Sequence, residues 1–210
     1  HITAYDISAC LVGSEMCIRD RFWEAKFWGY SFTLAFSAGT FFSFLGGAPY
    51  VATKVYNLNS VVSGLVMGFP AAGYFIGNYL SGRYSKFYGI DYMALRGILL
   101  VIFGMFICLV ITVFYRDTPY FFFGLCSFVG LGNGLIIPNA SVGILSVNEN
   151  LSGTAGGIGN AIMIGTGAIL ASLTSYFLEN QTSSSSLVFI MLLSGALSYT
   201  SLYIFVLRNK

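Results

Sequence analysis

The sequence predicts an all-α, polytopic transmembrane bundle of six helices. Three observations carry that expectation. Of the 210 residues, 56% are hydrophobic and 9% are charged, whereas a soluble domain carries about 25% charge. Six long apolar runs follow one another along the chain, and only short polar breaks separate them. Twenty Phe, 14 Tyr and 25 Gly add the aromatics that collect at membrane interfaces and the small residues that let membrane helices approach closely.

The runs fall at about 29–50, 60–80, 93–114, 119–145, 154–178 and 187–207. Each is long enough to cross a hydrocarbon core of ~30 Å as a helix of ~20 residues. Helices are the expected form because backbone groups in lipid must bond internally. The first run carries Phe41, Phe42, Phe44 and Tyr50, aromatics suited to an apolar ligand wall or to lipid and neighbour contacts. The second, VMGFPAAGYFIGNYL (66–80), contains Pro70, which removes a backbone donor and predicts an interruption. The third, MALRGILLVIFGMFICLVITVF (93–114), is the cleanest span. The fourth includes VGLGNGLIIPNASVGIL (129–145), where Asn133, Pro138 and Asn139 interrupt an apolar stretch. The fifth, through GGIGNAIMIGTG (156–167), carries Asn160. An amide in hydrocarbon is costly unless bonded, so Asn133, Asn139 and Asn160 either bond across helices or line a polar cavity. The sixth run closes the series at 187–207. The breaks are TKVYNLNS (53–60), SGRYSKFYGID (81–91), RDTP (116–119), NENLSG (148–153) and ENQTSSSS (179–186).

Charge placement predicts orientation. Arg21 and Lys26 precede the first span, Arg83 and Lys86 lie in the second break with Arg96 near the start of the next helix, and Arg208 and Lys210 close the chain. On the other side Lys54 stands alone and Arg116 is offset by Asp117. The positive-inside rule then puts the Arg83/Lys86 turn and both termini in the cytoplasm, as an even number of spans requires. Arg96 is the deepest charge and reads as a snorkelling interfacial anchor.

Enzymatic, metal and nucleic-acid chemistry find no support. The acidic residues Glu24, Asp91, Asp117, Glu149 and Glu179 sit at span ends or in breaks, so a mid-membrane proton relay would need its carboxylate elsewhere. Nothing reads as HExxH, CxxC or a P-loop, and no histidine follows His1. No cofactor or metal is predicted, and the basic residues do not cluster for phosphate contacts. Cys108 and Cys126 lie in apolar runs, where packing is the expected role. Gly64/Gly68, Gly73/Gly77, Gly130/Gly134 and Gly153/Gly157 are GxxxG pairs that predict close helix packing. The first stretch, HITAYDISACLVGSEMCIRDR (1–21), is neither span nor signal sequence. Its second half resembles translated adaptor or primer DNA. The expectation is a non-native leader over 1–21 and a single membrane domain over 22–210.

Three stretches resemble a known family. FLGGAPYVATKVYNLNS (44–60) is similar to the end of helix seven of major facilitator superfamily transporters. GNYLSGRYSKFYG (77–89) resembles their cytoplasmic turn between helices eight and nine, with Gly77, Arg83, Lys86 and Gly89 at matching places. Ser81 stands where the full motif carries an acidic residue. GNGLIIPNASVGIL (132–145) resembles helix ten, and SGTAGGIGNAIMIGTGAI (152–169) helix eleven. The match spans roughly 24–207 and points to the C-terminal half of such a transporter, within the Bcr/CflA branch of drug:proton antiporters.

The resemblance implies one half of a twelve-helix fold, a plasma-membrane location in a bacterial inner membrane, and alternating access to a small-molecule site between two bundles. It implies proton-coupled efflux of small amphipathic drugs, with the protonatable groups mainly in the first half. Candidate cavity residues are Phe41, Tyr50, Asn133, Asn139 and Asn160. Candidate gating and packing residues are Gly77, Arg83, Lys86, Gly89, Pro70, Pro138, Gly153 and Gly157. The alternatives are a major facilitator protein moving a sugar, amino acid or metabolite, and a six-helix scaffold that transports nothing.

Overall fold

The computed structural model describes residues 25–114, 118–147, 152–178 and 183–208. The stretch 1–21 and the terminal charges Arg21 and Lys210 lie outside them, as do Arg116, Asp117, Glu149 and Glu179. Every element among the described residues is helical. Helix α1 (Ala25–Tyr50) runs into a π-helical turn, Val51–Val55; then come α2 (Ser60–Tyr88), α3 (Ile90–Phe114), α4 (Pro119–Ser146), α5 (Ser152–Leu178) and α6 (Ser185–Leu202), which ends in a second π-helical segment, Tyr203–Leu207. With their π-helical extensions the six spans hold 31, 29, 25, 28, 27 and 23 residues, and at ~1.5 Å rise per residue each exceeds the hydrocarbon thickness. The chain is a multi-pass membrane protein, with six spanning helices among the described residues.

Two features of the helices differ from the sequence expectation. Residues 81–88, expected in a polar break, continue α2. Nothing in that stretch breaks a helix until Gly89, whose φ of 85° stops α2 and whose amide still donates to the Ser85 carbonyl at 2.9 Å. Only glycine adopts that backbone freely, so the turn shrinks to one residue. Arg83 and Lys86 therefore ride on the last turns of a helix rather than on a loop. The second difference concerns Pro70 and Pro138, expected to interrupt their helices. Both lie inside unbroken helices. A proline deletes one ladder bond, and neighbouring helices and side chains tolerate that loss in a membrane bundle.

Helices α1 and α4 form the centre. In their most apolar windows 67% and 56% of residues are buried, against 28% in α2 and 17% in α5. Helix α2 packs on α4, and α5 packs on α1. Behind them α3 packs on α4, α6 packs on α1, and α3 meets α6. Exchanging α1 with α4, α2 with α5 and α3 with α6 leaves this principal pattern unchanged.

Side-chain neighbours give the helix directions. Tyr30 meets Gly143, Ser37 meets Asn133, and Phe44 meets Phe123, so α1 and α4 are antiparallel. Gly39 faces Leu170 and Gly47 faces Thr174, so α1 and α5 run parallel. Gly73 faces Ser127 and Gly77 faces Gly134, so α4 and α2 run parallel as well. Ser194 Oγ donates to the Phe36 carbonyl at 2.6 Å and Ser198 Oγ to the Thr33 carbonyl at 3.1 Å, which makes α1 and α6 antiparallel. Gly97 against Leu135 and Gly104 against Phe128 do the same for α3 and α4. The bundle is thus two three-helix units of opposite direction.

Glycine sets the closest contacts. A Cβ on Gly134 would come within 2.5 Å of the Tyr74 carbonyl oxygen, and one on Gly77 within 2.9 Å of Gly134 Cα. On its other side α4 meets α3, where a Cβ on Gly132 would come within 2.6 Å of the Gly97 carbonyl oxygen. Two of the four GxxxG pairs, Gly73/Gly77 and Gly130/Gly134, therefore interlock. Gly64/Gly68 and Gly153/Gly157 face open space. Gly130→Val should cost several kcal/mol, because the added carbons meet Pro70 backbone rather than a movable side chain. Gly82→Ala, with nothing within 4 Å, should be neutral or gain up to ~1 kcal/mol of helix propensity. Thermal unfolding of the two variants in one detergent compares them.

Candidate functional site

Two of the polar clusters inside the bundle are built around a buried amide. The first is the seam between α1 and α4. Helix α1 buries Ser31, Thr33, Ser37, Thr40 and Ser43 within an otherwise apolar span. Thr33 and Thr40 turn their hydroxyls to their own helix, at 2.7 Å to the Gly29 carbonyl and 3.2 Å to the Phe36 carbonyl. Ser37 instead donates across the seam to Asn133 Oδ1. Tyr30, Ser37 and Phe44 recur every seven residues, two helical turns, and so share the face that meets α4. At one end of the seam the Tyr30 ring lies over Gly143 and its hydroxyl donates to Asp91 Oδ1 at 2.5 Å, tying α1, α4 and the first turn of α3 together. At the other end Phe44 and Phe123 meet edge to face, with ring centroids 6.3 Å apart.

The second place joins α2 to α4. Asn139 is 2% exposed. Its Nδ2 donates to Ser81 Oγ at 2.8 Å and to the Leu135 carbonyl at 2.6 Å, and its Oδ1 accepts from Ser85 Oγ at 2.8 Å. Ser85 Oγ also lies 2.6 Å from the Ser81 carbonyl. Both ends of the amide are occupied, and the network holds no charge. Ser81 is thereby a buried member of a neutral clamp, at the position where the resembled motif carries an acid.

The remaining candidates are dispersed. Phe41 is half-buried and stacks on Phe44, with centroids 6.4 Å apart. Tyr50 is half-buried at the junction of α1 with its π-helical turn. Asn160 is exposed on α5, on the side that also carries Gly153 and Gly157. Pro70 is buried against Gly130, and Pro138 is half-buried one residue before Asn139. Arg83 and Lys86 are exposed at the end of α2, where Arg83 Nη1 reaches the Tyr79 hydroxyl at 3.4 Å. Arg96 is exposed and lies 4.9 Å over the Tyr92 ring, a cation–π contact at the start of α3. Cys108 and Cys126 are both buried. Among the described residues no three His, Cys, Asp or Glu side chains stand together to hold a metal.

Sequence reasoning named Asn133 and Asn139 but missed Ser37, Ser85 and Tyr30. The seven-residue recurrence in α1 was the available signal for Ser37 and Tyr30. For Ser85 the signal was its position four residues after Ser81 on one helix face. No family model matches the chain, and no curated protein matches it.

Membrane hydrogen bonds between helices are worth about 1 kcal/mol. Asn139→Leu should lower stability by about that amount, leaving both serines free to bond their own helix. Ser85→Ala should cost a similar amount, since it leaves the amide oxygen buried and unpaired. Combined, the two changes should cost less than their sum, and a double-mutant cycle on unfolding free energy measures the coupling.

Proposed function

We propose that this chain is one six-helix half of a secondary active transporter of the major facilitator kind, and that the intact protein exports small amphipathic molecules in exchange for protons. The observation that supports this reading is the pairing pattern: two three-helix units of opposite direction, exchanged by one symmetry, with α1 and α4 antiparallel at the centre. Each six-helix half of a major facilitator transporter is itself built from two three-helix repeats of inverted topology, and the cargo site is expected between the two halves. The polar seam between α1 and α4 joins the two inverted units within this half. The proposed location is a bacterial inner membrane. Among the described residues Lys26, Arg83, Lys86, Arg96 and Arg208 gather at one end of the bundle and Lys54 at the other, so the first end is proposed to be cytoplasmic.

Two measurements test this. Cells expressing the full-length gene should expel amphipathic dyes and antibiotics, and an uncoupler that collapses the proton gradient should abolish the efflux. Efflux that survives collapse but stops on ATP depletion would sink the proposal, and nutrient uptake without drug efflux would shift it to metabolite transport. For orientation, Lys86→Cys should react with a membrane-impermeant maleimide only after the cytoplasmic face is opened, and Asn57→Cys should react in intact spheroplasts. The opposite pattern would invert the topology.

A further inference from the structure

Arg96 brings a charge into the membrane that no acid among the described residues meets. Its guanidinium lies 4.9 Å over the Tyr92 ring, and its N–H groups find no acceptor among those residues. A guanidinium is planar, so stacking covers one face and leaves the N–H edge open. Asp91 is the one acidic residue described, and the Tyr30 hydroxyl donates to it.

Position makes the open edge significant. Arg96 is six residues inside α3 (Ile90–Phe114), ~9 Å along the axis from its start. Charge at that depth is costly unless the side chain reaches the interface and a partner meets it there. Helical side chains lean toward the N-terminus. The Tyr92 contact holds Arg96 in that direction, toward the end of the bundle where Lys26, Arg83, Lys86 and Arg208 gather.

The support beneath the guanidinium is a ladder of rings. Tyr92 stacks on Tyr88 with centroids 5.5 Å apart, and Tyr88 meets Tyr84 at 6.3 Å. The one-residue turn at Gly89 permits this, because it sets the first turn of α3 beside the last turn of α2. Residues 84, 88, 92 and 96 thus form one exposed row across two helices. Exposed tyrosines beside a basic group at a helix end suit the boundary between hydrocarbon and headgroups.

We infer that Arg96 binds the phosphodiester of an anionic phospholipid in the leaflet at the basic end, and that Tyr92 is a positioning residue that turns the guanidinium edge toward it. Phosphate matches the planar fork of arginine, which can donate two parallel hydrogen bonds to it. Charge selects the lipid class. Among the described residues Lys26, Arg83, Lys86, Arg96 and Arg208 stand at this end with Asp91 as the single acid. A zwitterionic headgroup would carry a further cation into that field, and an anionic one does not. The inference needs only the membrane-spanning bundle and holds whether or not the protein transports.

The test titrates purified full-length protein in detergent micelles with dioleoylphosphatidylglycerol, with dioleoylphosphatidylcholine, or with inorganic phosphate, and reads the melting temperature. Phosphatidylglycerol should raise it at lower concentration than phosphatidylcholine, and inorganic phosphate should leave it unchanged. Arg96→Gln should weaken phosphatidylglycerol by about fivefold. Arg96→Lys keeps the charge but loses the fork, and should fall between the two. Tyr92→Leu should weaken the lipid by about twofold. Should Arg96→Gln prove unstable without lipid, Arg96→Lys and Tyr92→Leu carry the test. The inference is overturned if the two lipids stabilise the wild-type protein equally, if inorganic phosphate alone reproduces the shift, or if the Arg96 and Tyr92 variants bind phosphatidylglycerol as the wild type does. A loss in Lys86→Gln as large as in Arg96→Gln would also overturn it, since a diffuse basic surface would then account for the attraction.

Discussion

Close backbone approach at the glycines of α4 is the constraint on which the rest of the bundle depends. Lipid is as apolar as a leucine side chain, so helices in a membrane gain little by hiding apolar surface from one another. What holds them is contact distance, and contact distance is set by what projects between them. Helix α4 carries Gly130, Gly132 and Gly134 on alternate residues. The outer two admit α2 and the middle one admits α3. Alternation puts neighbouring glycines on different sides of one helix, so three small residues fix the positions of two partners. Seated this closely, α2 can bring Ser81 and Ser85 within hydrogen-bond reach of Asn139. The clamp is thus a consequence of the glycine contact.

The same logic appears around the other central helix with different residues. Helix α5 seats against α1 at Gly46, Gly47 and Gly167, where bulkier neighbours such as Phe42 fill the opposing space. Each central helix therefore holds one parallel partner closely, and the two resulting pairs meet along the α1–α4 seam. That seam is built otherwise. It holds an aromatic contact at one end, a tyrosine–aspartate bond at the other and a half-satisfied amide between them. Glycine contacts thus join the helices within each pair, and aromatic and side-chain hydrogen-bond contacts join the two pairs.

How much of this could be read from residues alone varies from element to element. The six spans were legible because about twenty apolar residues leave few alternatives in any solvent. The end of α2 was not, because charge and serine content suggest a loop, whereas the residue that ends the helix is Gly89 alone. Pro70 and Pro138 misled in the same way: a proline removes one bond, and its consequence depends on neighbours the sequence does not show. The four GxxxG pairs look alike on paper, yet two interlock and two face outward, since a pair of glycines does not specify a partner. Asn133 and Asn139 were both visible as polar intrusions. Their difference lay in residues 96 and 54–58 positions away, a distance no local pattern spans.

Absence of charge at the α2–α4 clamp bears on how such a bundle could be switched. A salt bridge at Ser81 would respond to protonation and to any competing cation. The serine–asparagine network among residues 81, 85 and 139 contains nothing that titrates near neutral pH. The α1–α4 seam differs: it carries an ionisable contact, Tyr30 with Asp91, at the end where the basic residues gather.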